Sequence, residues 1–379
     1  MRVGQDGGTR CPVSMRASAR ASAAQPPASH HHSRRVAITA AAASLLAPRP
    51  APAASSPFCG AVDVVPPWAY SVQWQERALD GGVWARVLGD LPGSRGGVLG
   101  RLGLGSPPVT SRPVLVLGDP LIGIEYLESL ELLASNRGVA FFDWPGVGRS
   151  KGRGGEGDGG EDALPSTPDT LAATIDLVRQ GLGLGACHAV GVGLGGLLLL
   201  AALADPASPL STSTLSLGLI SVAATPAALV DGRRERAAQV VGRAAADALD
   251  ADALARFRAA AICKRPAGCV AAALADGAGG ALAARLAGSA PLVHVGGALA
   301  GWAPELRQTM PRTLLLTGED GCVRRADAEA LVAALGPAAE WRPVPASGDF
   351  VHVDAAAETV DAFELMFREV EVAGGGGGV

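Results

Sequence analysis

Cys187-His188-Ala189-Val190-Gly191-Val192-Gly193-Leu194-Gly195-Gly196-Leu197, prolonged by an apolar run to Leu203, is the stretch that decides how this chain folds. A short apolar segment bounded by glycines suits a strand buried on both faces. The glycines then mark a sharp turn, and the run that follows is long enough for a buried helix. Small residues at Gly191, Gly195 and Gly196 let strand and helix backbones approach each other. At the tip of the turn stands Gly193, which has no side chain. Cys187 and His188 are neighbours in the strand, so they point to opposite faces, and Cys187 reads as a core thiol.

The same alternation extends in both directions. Upstream, Pro113-Val114-Leu115-Val116-Leu117 and Gly138-Val139-Ala140-Phe141-Phe142 read as buried strands flanking a helix over Glu125 to Ser135. Val83 to Val87 and Val98 to Leu102 read as an opening antiparallel hairpin. Lys151 to Asp162 is a Gly- and acid-rich surface insertion, after which Thr167-Pro168 caps and opens a helix over Asp169 to Leu182. Downstream, Leu215 to Ile220 is a strand. From Ala223 to about Arg307 strand patterns give way to Ala-rich helical stretches broken by Pro266, Gly277 to Gly280 and Gly288. The sheet pattern resumes at Thr313 to Thr317, followed by a helix over Asp327 to Leu335, a strand over Trp341 to Val344, and a helix over Ala355 to Arg368. Pro343 assigns that last strand to a sheet edge. The class is therefore α/β, a mostly parallel doubly wound sheet with an inserted helical cap.

Composition bounds the function. The chain has 379 residues, 48% of them hydrophobic, with net charge −4. That balance speaks against nucleic acid or an anionic membrane as the main partner. Before Asp63 the sole acid is Asp6, whereas Arg2, Arg10, Arg16, Arg20, Arg34, Arg35 and Arg49 are scattered among Ser, Ala and Pro. This is the composition of an organellar transit peptide. Arg34-Arg35, the apolar run Val36 to Leu46 and the small residues Ala51-Pro52-Ala53 form a second signal. The run is far shorter than the roughly 20 residues of a membrane span. Two signals in series resemble a chloroplast presequence directed to the thylakoid lumen by the twin-arginine route. A bacterial twin-arginine export signal leading to the periplasm, another organelle, or a disordered Ala-rich tail are the alternatives. His30-His31-His32 is low complexity, and no Cys/His spacing suggests a metal. Cys263 and Cys269 are the near pair for a disulfide, with two unrelated buried thiols as the alternative.

Three groups of residues carry a family resemblance. They are Leu117-Gly118-Asp119-Pro120-Leu121 with Glu125-Tyr126-Leu127; Asp143-Trp144-Pro145-Gly146-Val147-Gly148-Arg149-Ser150; and the turn at Gly193. With Thr317 to Val323 and Ser347 to His352, these resemble the prolyl aminopeptidase branch of the α/β-hydrolase superfamily, from about Pro113 to Phe367. The resemblance implies a nucleophile elbow, Gly-x-Ser-x-Gly, and a capped hydrolase of peptides or esters. It divides the chain into a presequence (1–54), a first core part (65–222), a helical cap (223–307), a second core part (308–370) and a disordered tail (371–379).

The catalytic positions depart from that pattern. The nucleophile position is Gly193, the acid position Gly321 and the base position Asp349. The oxyanion-hole positions are Gly118, Asp119 and Leu194, and the motif around them has Leu117, Asp119 and Leu121 where the family has His, Gly and Gly. A carboxylate at Asp119 would oppose a developing oxyanion. Removing members of a Ser-His-Asp system costs several orders of magnitude in rate. Displaced members are conceivable in Asp320 and His352, which would activate a water. The expectation is a non-catalytic hydrolase-fold protein that takes a small-molecule or peptide ligand beneath the cap, or a protein partner through it. The alternative is a weak or rewired aminopeptidase-like hydrolase. A second alternative reads Gly191-x-Gly193-x-x-Gly196 as a dinucleotide fingerprint, but the acid expected about 20 residues on is absent where the strand ends Ile220-Ser221-Val222. No cofactor is expected.

Overall fold

The computed structural model describes residues 74–89, 91, 111–120, 123–150, 168–204, 208–248, 256–264 and 310–375. The chain divides into units Met1–Ala53 and Ala54–Val379, and all described residues lie in the second. The presequence, Cys59, Cys269, Leu121, the Val98 to Leu102 strand, the Lys151 to Asp162 insertion and most of the cap lie outside them.

Among the described residues eight strands form one sheet: β1 (Gln75–Ala78), β2 (Trp84–Leu88), β3 (Val114–Leu117), β4 (Val139–Phe142), β5 (Cys187–Val192), β6 (Thr214–Ile220), β7 (Arg312–Gly318) and β8 (Ala339–Val344). Their order is β1-β2-β4-β3-β5-β6-β7-β8. Both pairings of β2 are antiparallel and all the others parallel. The helices are α1 (Pro168–Gly181), α2 (Leu194–Leu203), α3 (Pro209–Ser213), α4 (Pro226–Val241), α5 (Arg243–Ala248), α6 (Arg325–Leu335), α7 (Val351–Asp354) and α8 (Ala356–Gly375). Ile124–Ser135, expected as a helix, is wound as 3-10 turns.

Every residue of β3, β4 and β5 is buried, which is why these strands are apolar without alternation. Alternate residues nonetheless enter different layers. Leu115, Leu117, Phe142 and Ala189 pack with α1, α2 and α6 on one face. Val116, Phe141, Val190 and Ile220 pack with the 3-10 segment and with Phe363 and Phe367 of α8 on the other. All of α2 is buried, as its all-round apolar sequence requires. β8 is an edge strand, with Pro343 opposite Thr317, so the missing N–H breaks no ladder bond between strands.

Two expectations are corrected. β2 pairs with β1, upstream of it; Gly81 takes φ 74° in the intervening turn, and Leu79 N–H donates to Val83 O at 2.8 Å. The closing helix does not stop at Arg368, and residues 371–375 are not a disordered tail: α8 runs to Gly375. The reason is a polar clamp invisible to apolar periodicity. Buried Arg137 donates to both oxygens of Glu364, at 2.8 and 3.0 Å, and to Glu371 at 2.8 Å. Glu371 also accepts from Arg112 N–H at 2.7 Å and stands 3.1 Å from His188 Nε2. His188 stacks on Phe367 with ring centroids 4.3 Å apart.

Candidate functional site

The turn between β5 and α2 carries the site. Gly193 has φ 55° and ψ −123°, a conformation that strains any residue with a side chain. Its N–H donates to Ile220 O at 2.8 Å, which ties the tip to the end of β6. The surrounding glycines are demanded by crowding. A Cβ on Gly191 would lie 2.4 Å from Gly196 Cα, one on Gly195 2.2 Å from Gly118 O, and one on Gly196 2.3 Å from Val222 Cγ2. Strand, helix and the β3 loop touch backbone to backbone here, so close packing accounts for the glycines of the dinucleotide-like pattern. Gly193 differs: among the described residues, only Asp119 Oδ2 lies within 4 Å of its Cβ position, at 3.6 Å. At the tip it is a carboxylate oxygen, not backbone, that a side chain would meet among the described residues.

Asp119 is buried. Its own N–H donates to the hydroxyl of Tyr126 at 2.6 Å, so the donor that the resemblance assigns to an oxyanion is engaged within the fold. Trp144 Nε1 donates to Gly118 O at 2.9 Å and fixes the loop from the other side. Burial and the nearby Asp119 charge push the Tyr126 hydroxyl well above its ordinary pKa, and it remains a phenol. Leu194 is the first residue of α2 and is buried.

Gly321 and Asp349, the residues that the resemblance aligns with an acid and a base, lie together. Asp349 Oδ1 accepts from Cys322 N–H at 2.6 Å and would lie 2.8 Å from a Cβ on Gly321. The carboxylate at position 349 therefore fills the space that a side chain at 321 would need. Ser221 Oγ donates to Asp349 O at 2.7 Å, holding this loop against the end of β6 that also anchors Gly193. Arg233 of α4 stands 4.0 Å from Asp349 Oδ2. Neither Arg233 Nε nor Asp349 Oδ2 has a hydrogen-bond partner, and both atoms are buried. Burial raises the pKa of Asp349, with Arg233 opposing. The segment Arg258–Ile262 docks on the same loop: Ala261 O accepts from Asp349 N–H at 2.8 Å, and Ile262 O from Phe350 N–H at 2.7 Å.

The displaced candidates are not joined to each other. Asp320 pairs with Arg236 at 3.0 Å and with Lys264, and the Lys264 contact lowers its pKa. His352 is fully buried in α7 and its Nε2 lies 3.2 Å from Tyr126 O. A carbonyl only accepts, so Nε2 carries the proton, and Nδ1 is buried without a hydrogen-bond partner. Burial lowers the pKa of His352 to about 3, and it is a neutral structural histidine. Cys187, raised to about 12 by burial, is likewise an inert core thiol. Cys263 Sγ donates to Asp354 Oδ1 at 3.7 Å, while its candidate disulfide partner lies outside the described residues. Among the described residues no cluster of His, Cys, Asp and Glu could hold a metal ion, and no helix is long and apolar enough to cross a membrane.

No protein-family model and no curated protein sequence matches this chain. Solved structures do. A proline iminopeptidase from Mycobacterium smegmatis superposes with TM-score 0.58 at 20% identity, over 79% of this chain and 100% of that one. The protein VinJ gives 0.56 at 18% identity, over 79% and 99%. A bacterial membrane phospholipase A gives 0.51 at 17%, over 79% and 87%. The chain has the α/β-hydrolase fold.

Within this hydrolase fold the Asp143 to Ser150 loop proves to be a structural latch. Asp143 accepts from Ile124 N–H at 3.1 Å and from Arg149 N–H at 2.8 Å. Ser150 Oγ donates to Asp143 O at 2.6 Å and accepts from Trp84 N–H at 2.9 Å. The motif thus ties β4, β2 and the 3-10 segment together below the elbow. Sequence reasoning missed two contributors to the site. The Tyr126 contact with Asp119 crosses a loop, and Arg233 reaches it from a helix whose Arg-rich surface gives no signal of an inward contact.

Proposed function

We propose that this α/β-hydrolase-fold protein binds a ligand without cleaving it. The observation that carries this reading is the elbow: Gly193 keeps the strained tip geometry, has no nucleophile, and faces the Asp119 carboxylate at 3.6 Å from its Cβ position. An acyl-transfer intermediate is an oxyanion, and a fixed carboxylate at that spot destabilises it as surely as backbone donors would stabilise it. The burial of His352, which lowers its pKa to about 3, supports the same reading. The ligand classes that suit a capped hydrolase fold are a small molecule or peptide beneath the cap, or a protein partner on the cap surface.

Purified chain lacking residues 1–54 should not react with a fluorophosphonate probe and should not release product from a prolyl amide. Labelling, or turnover that survives Asp119→Asn, would overturn the reading and favour a rewired aminopeptidase-like hydrolase. The Arg-rich, acid-poor composition of residues 1–54 supports delivery to a chloroplast, with the thylakoid lumen as the destination. A fluorescent fusion to that segment that stayed in the cytosol of a plant cell would refute this.

A further inference from the structure

We propose that Arg233 and Asp349 form a pH-operated latch between α4 and the loop that joins β8 to α7. Arg233 stands off while Asp349 carries a proton and closes on the carboxylate when it ionises. The latch does not depend on what the protein binds or on whether it cleaves it.

The geometry of the pair carries the inference. Asp349 Oδ2 and Arg233 Nε are both buried, and among the described residues neither has a hydrogen-bond partner. They face each other at 4.0 Å, beyond a hydrogen bond but close enough for opposite charges to attract. Asp349 Oδ1 is taken up by Cys322 N–H at 2.6 Å, so a proton on this carboxyl sits on Oδ2. As the groups stand, neither state is satisfied: a protonated Oδ2 lacks an acceptor and an ionised one lacks a donor, and each orphan carries a desolvation cost. Only the ionised state has relief within reach. A movement of roughly 1 Å brings the guanidinium to charge-assisted hydrogen-bond distance.

The surrounding contacts assign that movement to Arg233. Asp349 is held at both ends of its backbone, its N–H by Ala261 O at 2.8 Å and its carbonyl by Ser221 Oγ at 2.7 Å. On α4, Gly232 leaves no room for a Cβ against Cys322 O, and Arg236 donates to Asp320 O and to Asp320 Oδ1 at 3.0 Å each. Arg233 lies between these two fixed points with its side chain 39% exposed, so it swings without moving the helix. The groups that decide when Asp349 ionises are also in place. Burial opposes ionisation and outweighs Arg233, the Cys322 N–H and thiol, and Arg236, all of which favour it. Burial and Asp349 keep Cys322 a thiol, and Tyr126, which also senses the Arg233 charge, stays a phenol. The Arg258–Ile262 segment and the end of β6 present only the uncharged Ala261 O and Ser221 Oγ.

Nitrogen NMR of the chain carrying isotope-labelled arginine tests the latch, with the Arg233 Nε signal assigned by its loss in Arg233→Lys. As pH rises from about 4 to about 9, across the range in which a raised carboxyl titrates, that signal should shift. Exchange of its proton with solvent should slow about tenfold or more relative to an arginine held by no acid, as expected for a charge-assisted bond. Asp349→Asn should abolish both changes. If that variant fails to fold by circular dichroism, Arg233→Met carries the test through the side-chain carbon signal of Asp349. Losing the cation should raise the pH at which Asp349 ionises by about one unit or more. An Arg233 signal and exchange rate indifferent to pH, changes that persist in Asp349→Asn, or an Asp349 midpoint unmoved by Arg233→Met would each overturn the inference.

Discussion

Replacing Gly321 by Ala would place a methyl carbon 2.8 Å from Asp349 Oδ1, 3.1 Å from Gly318 O and 3.3 Å from Asp349 N. The first contact is closer than real Cβ atoms tolerate, and the carboxylate cannot swing aside without releasing Cys322 N–H, held at 2.6 Å. Overpacking of this kind costs about 1–3 kcal/mol. Asp349→Ala by itself strands that buried N–H, at about 1–3 kcal/mol, offset in part because a carboxyl whose ionisation burial already disfavours is removed. In the double variant the offending oxygen is gone and only the two looser backbone contacts remain. Gly321→Ala should then cost less than about 1 kcal/mol more, giving a coupling of about 1–2 kcal/mol. Urea unfolding followed by circular dichroism, with a shared m-value across the four proteins, measures it. In thermal midpoints each 1 kcal/mol is worth about 2–4 °C for a domain of this size. If the single effects add to within about 0.5 kcal/mol, as distant sites do, the claim that Asp349 occupies the space of a side chain at 321 is wrong.

Arg137→Met should destabilise the fold by about 3–5 kcal/mol, because it leaves buried Glu364 without its two-pronged partner; truncation after Arg368 should cost less, since it removes only the Glu371 half of the clamp, and equal unfolding midpoints for the two would refute this ranking. Glu131 is buried 3.9 Å from Arg86 and its pKa is raised by burial to about 10. The folded state therefore holds a proton that the unfolded state has lost above the ordinary glutamate pKa, so this residue withdraws stability as pH rises from about 4.5 to 10. Glu131→Gln is neutral in both states. It should gain on the parent by at most about 1.4 kcal/mol per pH unit, and a stability difference that is the same at pH 5 and pH 8 would contradict the shift.

Much of the architecture was legible in the chain because burial on both faces of a sheet leaves a direct mark. Val114 to Leu117, Val139 to Phe142 and Cys187 to Val192 have no polar alternation except at His188, and all three are central strands. His188 is tolerated because Ser216 Oγ, at 2.7 Å, and Glu371 satisfy its ring nitrogens. The same reading placed Pro343 on an edge strand. It failed where polar contacts between distant segments set the outcome. Glu371 looks like the start of a Gly-rich tail until Arg137 and Arg112 are seen to reach it. Gln75 to Ala78 is exposed along its whole length, so it carries no burial pattern to be recognised.

At the site the division follows the same physics. The order of residues alone places Gly at 193, Gly at 321 and Asp at 349, because identity at a position is a local property. Which atoms surround those positions is a matter of distance between segments far apart in the chain. Only the folded arrangement brings Asp119 Oδ2 to the tip, turns Asp349 toward Gly321, commits His352 to a carbonyl and sets Arg233 beside a buried acid. Hydrogen bonds and charge pairs act over a few ångströms, and those ångströms are fixed by tertiary packing.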